Sequence, residues 1–205
     1  MSERMNYIIG IDEVGTGAWA GPICVCAVRV NSNWTLAGLN DSKKCTPIRR
    51  EKLRNKLLQF HLSGELGYEI AERSVEEINA QGLGPSLRAC QLEVLNKLKL
   101  SGKYESTDQV ILDGQGNSKY GSDFLGYNPT FIIKADGKIP AVMAASILAK
   151  THRDNLMKTV FHLQHPEYNW IKNIGYVTPD HKEAVKKYGL CSLHRKYNVK
   201  MYVYL

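Results

Sequence analysis

The chain has no apolar run of about 18 residues, the length that crosses a bilayer as a helix. Its first residues, MSERMNYIIGIDE, lack the apolar stretch and small-residue cleavage site of a secretory signal. A cytoplasmic protein with no membrane contact is therefore expected. Cysteine is sparse and unpaired. Cys24, Cys26, Cys45, Cys90 and Cys191 are odd in number, contain no C-x-x-C and lie mostly in apolar patterns, which suits reduced thiols acting as small hydrophobes in a reducing compartment. No H-E-x-x-H or Cys/His zinc spacing occurs, so His61, His162 and His165 read as solvent-facing or structural. His152 reads as a surface histidine. No GK[ST] follows Gly82-Leu83-Gly84-Pro85, which makes that stretch a helix-entry turn and not a phosphate loop. Repeats, low-complexity tracts and long linkers are missing too, and one domain over residues 1–205, acting as a monomer, is the expectation.

Acidic residues are outnumbered, with 20 Asp+Glu against 27 Lys+Arg for a net charge of +7, which favours an anionic partner such as nucleic acid. A hydrophobic content of 43% argues against a disordered, collagen-like or fibrous chain and leaves enough apolar surface for a core.

The apolar runs Tyr7–Ile11 and Ile23–Val30, separated by a glycine-rich turn, predict an antiparallel pair of strands. Thr46-Pro47 begins a helix with apolar Ile48, Leu53, Leu57 and Phe60 and a basic polar face. Leu66–Ala71 predicts a strand, Ser74-Val75-Glu76-Glu77 a capping box, and Pro85–Leu98 a helix. Gln109–Leu112 and Phe131–Lys134 predict two more buried strands. Between Ile139 and Phe161 the spacing of Met143, Ile147, Leu148, Leu156 and Val160 is helical, with room for a break near His152, and Pro179–Tyr188 predicts a last helix. Asn117–Asn128, rich in Gly, Ser and Tyr, reads as an exposed loop. This order gives an α/β domain around one mixed sheet with a mainly helical C-terminal part.

The acids at the strand ends carry the chemical signal. Asp12-Glu13 follows the first strand and precedes Gly15-Thr16-Gly17; Asp113 ends a strand in VILDGQG; Asp154 lies on the helix AASILAKTHRDNLM. Each has an ordinary explanation: a solvated turn, an Asp-Gly turn, and an i,i+4 pair with Lys150. Brought together by a mixed sheet, four carboxylates would repel unless cations neutralised them. Oxygen ligands suit Mg²⁺ or Mn²⁺, and two such ions serve phosphodiester hydrolysis.

The stretches GIDEVGTGAWAGP, LNDSKKCTP, VILDG and IKADGKIPAVMAASILAKTHRDNLM, with NIGYVTPDH and LHRKY, resemble in order the motifs of the ribonuclease HII family, the type 2 ribonucleases H, from about Ile8 to Tyr197. The resemblance implies a ribonuclease H-like fold, a mixed five-stranded sheet flanked by helices. It implies a two-metal site of Asp12, Glu13, Asp113 and Asp154 that cuts the RNA strand of RNA/DNA hybrids, and duplex DNA on the 5′ side of an embedded ribonucleotide, leaving 3′-hydroxyl and 5′-phosphate ends. Gly15, Thr16 and Gly17 would meet the ribose 2′-hydroxyl and neighbouring phosphates. Tyr176 would stack on the sugar beside the RNA-to-DNA step, and Lys43 and Arg195 would contact phosphates, with Ser146 and Lys150 facing the same groove. Asp136 would orient its loop.

Thr16 stands where ribonuclease HII has arginine, which removes a bidentate phosphate donor and weakens the expectation of efficient cutting at a single ribonucleotide. A GTG triplet is similar to ribonuclease HIII, whose proteins carry an extra N-terminal domain and a glutamate for the last acid; here the motif starts at residue 10 and RDNLM supplies Asp154. The competing expectations are a non-catalytic duplex-binding protein, a hybrid-only enzyme with ribonuclease HIII-like specificity, and a resolvase- or transposase-type nuclease, against which AASILAKTHRD and GYVTPDH argue. The final YNVKMYVYL shows no sliding-clamp-binding motif.

Overall fold

The computed structural model describes residues 6–114, 124 and 126–196. Strand β1 (Tyr7–Val14) pairs antiparallel with β2 (Ile23–Asn31), placing Ile11 opposite Ala27, as the two apolar runs predict. Helix α1 (Pro47–Leu62) starts where Thr46 accepts a hydrogen bond from the Arg49 amide and Pro47 presets the first turn. It buries Leu53 and Leu57, whereas Ile48, expected on the same face, is 73% exposed. Strand β3 (Leu66–Arg73) follows, then α2 (Val75–Gln81) with its Ser74–Glu77 capping box formed in both directions, and α3 (Leu83–Leu100).

Strands β4 (Gln109–Asp113) and β5 (Thr130–Ile132) complete a sheet of order β3-β2-β1-β4-β5, antiparallel on one side of β1 and parallel on the other. This is the mixed five-stranded sheet expected. β5 is shorter than its apolar run, since Ile133 is exposed and Lys134 turns into the left-handed region at φ 58°. The loop expected over 117–128 lies largely outside the described residues.

Alternation sorts the strands onto two cores. Ile9, Ile11, Val25 and Ala27 meet Val94, Leu95 and Leu98 of α3. On the opposite face Cys26 and Val28 meet Leu53 and Leu57 of α1 and the alanine-rich helix α4 (Pro140–Leu156). Gly10 permits that contact, because a Cβ there would lie 2.3 Å from the Val142 amide nitrogen.

Helix α4 runs through His152 unbroken, and the irregularity comes later, as a π turn at Met157–Phe161. The buried Arg153 holds the helix at the predicted break, and the wider turn delivers Met157, 0% exposed, to a third core with Trp19, Tyr168 and Trp170. Short helices α5 (His162–Gln164) and α6 (Trp170–Asn173) and the capped α7 (Pro179–Tyr188) make up the helical C-terminal part. Among the described residues no helix is long and apolar enough to cross a membrane.

Candidate active site

Strand pairing sets the acids. Ile11 is the register partner of Leu112 in the parallel pair β1 and β4, so one residue further on Asp12 and Asp113 leave the sheet side by side. Asp12 points to the α4 face, where the Ser146 hydroxyl bonds it and lies 2.8 Å from the Ser42 hydroxyl. Glu13, turned the other way by the pleat, borders a pocket shared with Arg88, Gln91, Asp113 and Gly114. Asp113 accepts a 2.7 Å hydrogen bond from the Ala135 amide, which ties β4 to the loop carrying Asp136.

The electrostatics are those of negative charge lacking compensation. Burial, then the Glu13 charge, pushes the Asp12 carboxyl up to about 8 against the Ser146 bond. Burial, then Asp113, pushes Glu13 up to about 7, with Lys43 opposing. Among the described residues neither carboxylate has a cationic partner within ion-pair distance. Lys43 instead spans 3.2 Å to the buried Asp136, and its side chain is 76% exposed, free to swing toward a bound anion.

Asp154 stands apart. Ser146, Lys150 and Asp154 recur every fourth residue along α4, which sets Asp154 about 12 Å along the axis from Ser146. Asp154 accepts a 2.8 Å bond from Lys150 and lies 4.0 Å from Arg50. The i,i+4 pair is thus real. Burial pulls the Lys150 pKa down despite that partner, and its ammonium sits 5.2 Å from the centre of the Tyr176 ring. Asp12, Glu13 and Asp113 act on one another electrostatically, whereas Asp154 is paired with Lys150 and Arg50.

An all-oxygen donor set, with Asp12 buried and Asp12 and Glu13 short of counter-charge, fits a hard divalent cation. No three of these carboxylates close within 4.8 Å of one another; among the described residues only Cys24, Glu72 and His152 do so. An ion held by one or two carboxylates, water and substrate phosphate, as Mg²⁺ is, needs no tighter cluster.

The Gly15-Thr16-Gly17 turn is built from below. Gly15 has φ +93°, and a Cβ on it would lie 2.4 Å from the Arg153 Nε. Thr16 is half-buried, and Gly17 is exposed, with open space where a side chain would be. Arg195, expected at a phosphate, does something else. It is 0% exposed and donates to the carbonyls of Gly15 (2.6 Å), Thr16 (3.5 Å), Gly21 (2.9 Å) and Pro22 (2.9 Å). Its guanidinium is spent on the loop that carries the turn. Arg153 is equally buried and donates to Pro22, Ala20 and Ile174. Composition gives no hint of this, since an arginine buried on main-chain carbonyls looks like any other arginine.

Two histidines were visible only as members of the motifs GYVTPDH and LHRKY. His181 donates from Nδ1 to the Tyr176 carbonyl at 2.9 Å, leaving Nε2 to accept from Trp170 (3.2 Å) and from His194 (3.1 Å). His194 Nδ1 accepts in turn from the Cys191 amide. The network assigns both tautomers and fixes the backbone of Tyr176.

Solved structures place this architecture among ribonucleases H. A ribonuclease HII from Archaeoglobus fulgidus, solved in a complex with PCNA, superposes with a TM-score of 0.69 at 24% identity, covering 94% of each chain. Bst-RNase HIII in complex with Mn²⁺ superposes with a TM-score of 0.74 at 17% identity over 99% of this chain and 70% of that one. At such identities the likeness is one of fold. The sequence goes further. The Ribonuclease HII family profile matches residues 9–202, and a Ribonuclease HII of Ruminiclostridium cellulolyticum is 37% identical over 203 residues, 99% of this chain and 74% of the relative. The chain belongs to the ribonuclease HII family and is an endoribonuclease of the type 2 ribonuclease H class.

Proposed function

We propose that the 205 residues form one catalytic domain that hydrolyses the RNA strand of RNA/DNA hybrids where β1 and β4 end, with Asp12, Glu13, Asp113 and Asp154 holding Mg²⁺ or Mn²⁺. The observation that carries this reading is the adjacency of the buried Asp12 and the half-buried Glu13 and Asp113 at the ends of two parallel strands, with Asp12 and Glu13 lacking cationic partners. When bound, two such ions supply charge stabilisation for the attacking and leaving oxygens of an in-line phosphodiester displacement. The protein's part is to hold those charges and align the strand. Ser146 orients Asp12, the Ala135 amide orients Asp113, and Lys150 keeps the Asp154 carboxylate in place.

Substrate alignment falls to the Gly15-Thr16-Gly17 turn, Lys43, Lys150 and Tyr176. Open space at Gly17 lets backbone approach a ribose 2′-hydroxyl, the group that distinguishes a ribonucleotide from its DNA neighbours. Lys43 contacts a phosphate, and the half-buried Tyr176 presents its ring to a sugar. Cleavage lies 5′ to the ribonucleotide and leaves 3′-hydroxyl and 5′-phosphate ends. The enzyme works as a cytoplasmic monomer. Thr16 favours a second reading in which long RNA tracts are cut better than single ribonucleotides, because a hydroxyl replaces a bidentate phosphate donor.

Two end-labelled substrates test both readings with Mg²⁺ or Mn²⁺: an RNA/DNA hybrid and a DNA duplex with one ribonucleotide. Cutting of both supports the wider activity, cutting of the hybrid alone the narrower one. Asp113→Asn is expected to abolish cleavage while binding of the hybrid persists; unchanged cleavage would remove Asp113 from the site.

A further inference from the structure

We propose that Cys24, Glu72 and His152 form a second cation site, chemically distinct from the carboxylate site, that takes Zn²⁺ through thiolate, carboxylate and imidazole. The three residues come from three elements and are far apart in sequence. Cys24 and Glu72 are register partners across β2 and β3, so the pleat sends both side chains to the face that α4 covers. His152 comes from α4, and its Nε2 lies 2.6 Å from Glu72 Oε1. The candidate ligand atoms of all three lie within 4.8 Å of one another. A tetrahedral zinc ion with bonds of about 2.0 to 2.3 Å spaces its ligands roughly 3.5 Å apart, so small rotamer changes close the group.

The donor set decides which ion fits. A thiolate and an imidazole beside one carboxylate favour Zn²⁺ over Mg²⁺, whereas the strand-end acids offer oxygen alone. Thiolate and carboxylate together cancel the charge of Zn²⁺, so the occupied site is neutral, which suits the fully buried Cys24. Burial, then the Glu72 charge, pushes the Cys24 thiol up against the opposing charges of Arg153 and Arg195, so without metal it stays protonated. On binding, the thiol gives its proton to solvent, and His152, if protonated on Nε2, moves that proton to Nδ1 and frees Nε2 to coordinate. The side chains of His152 and Glu72 are about a third open, at 35% and 37%, and an adjoining pocket lined by Glu51, Arg54, Thr151 and Asn155 leads to His152. Solvent can therefore fill a fourth position. An ion here pins the β2–β3 edge to α4 one residue before Arg153, whose side chain supports the Gly15 turn.

Metal-stripped full-length protein titrated with Co²⁺ in excess Mg²⁺ tests this. One equivalent is expected to give the thiolate-to-cobalt charge-transfer band and the intense visible bands of tetrahedral Co²⁺, both displaced by Zn²⁺. Cys24→Ser removes the charge-transfer band. Glu72→Gln and His152→Gln weaken Zn²⁺ affinity by more than the roughly 10- to 100-fold that loss of an outer-shell partner costs. Asp113→Asn retains the band, which separates this site from the proposed catalytic one, and so does Cys191→Ser, whose thiol lies beside His194. If Cys24→Ser does not fold, the two partly exposed positions carry the test. Absence of a thiolate band in the unmodified chain, its persistence in both Glu72→Gln and His152→Gln, or its loss in Cys191→Ser would overturn the proposal.

Discussion

Arg153 and Arg195 donate to the same carbonyl oxygen, that of Pro22, from Nε at 2.7 Å and from Nη2 at 2.9 Å. Both guanidinia are fully buried and donate to main-chain carbonyls. Both cations thus brace one loop, the loop that begins with the Gly15-Thr16-Gly17 turn beside the strand-end acids, and Arg153 reaches the Ile174 carbonyl as well. Their convergence turns a flexible glycine-rich segment into a fixed surface.

Arg195→Lys leaves several of those carbonyls unsatisfied, and each costs about 1–3 kcal/mol. Chemical denaturation is expected to show a loss of about 3 kcal/mol. A phosphate contact would instead show as a drop of about one in the salt slope of hybrid binding. Here that slope should match the unmodified chain. A shallower slope with full stability would return Arg195 to the substrate.

Metal-free protein should reveal the cost of the buried acids. The folded-state pKa of Asp12 is raised from 3.8 to about 8, so the folded chain holds a proton that the unfolded chain has lost, and stability falls as pH rises across that window. The slope is at most about 1.4 kcal/mol per pH unit. Asp12→Asn removes it, so the variant gains on the unmodified protein between pH 4 and about 8 while losing cleavage. Added Mg²⁺ should reverse the gain. A difference in melting temperature that does not change with pH would contradict the burial of this charge.

His194 has the opposite sign. Burial, then His181, lowers its pKa from 6.5 to about 3, so the unfolded chain takes up the proton first, and the stability present above pH 6.5 is lost as pH falls toward 3. His194→Gln should cost stability at pH 7.5 and flatten the acid-side decline. Because the chain of bonds ends at the Tyr176 carbonyl, the same variant should raise KM for the hybrid more than it lowers kcat. An unchanged acid limb would mean that another group sets it.

Thr16→Arg tests what the turn lacks. The side chain leaves from a half-buried position next to the open Gly17, with space for a guanidinium to reach a phosphate. Cleavage at a single embedded ribonucleotide should rise by about tenfold, with little change on the hybrid. No gain, or a loss, would mean that the contact has been rebuilt elsewhere.

Where local chemistry decides, the sequence was sufficient. Thr46-Pro47 and Ser74–Glu77 start helices because capping acts within four residues, and alternating apolar runs set both faces of the sheet. Motif order was enough for the family and for the acids at the strand ends. Long-range relations decided the rest. The parallel register that sets Asp12 beside Asp113 joins residues about a hundred positions apart, and the burial of Arg195 depends on carbonyls at the other end of the chain. Charge in a sequence carries no direction, so a lysine that faces solvent and an arginine that holds up a loop look alike until packing separates them. The same holds for Cys24, Glu72 and His152. No metal spacing links them along the chain, and only the pairing of β2 with β3 beneath α4 brings a thiol, a carboxylate and an imidazole together.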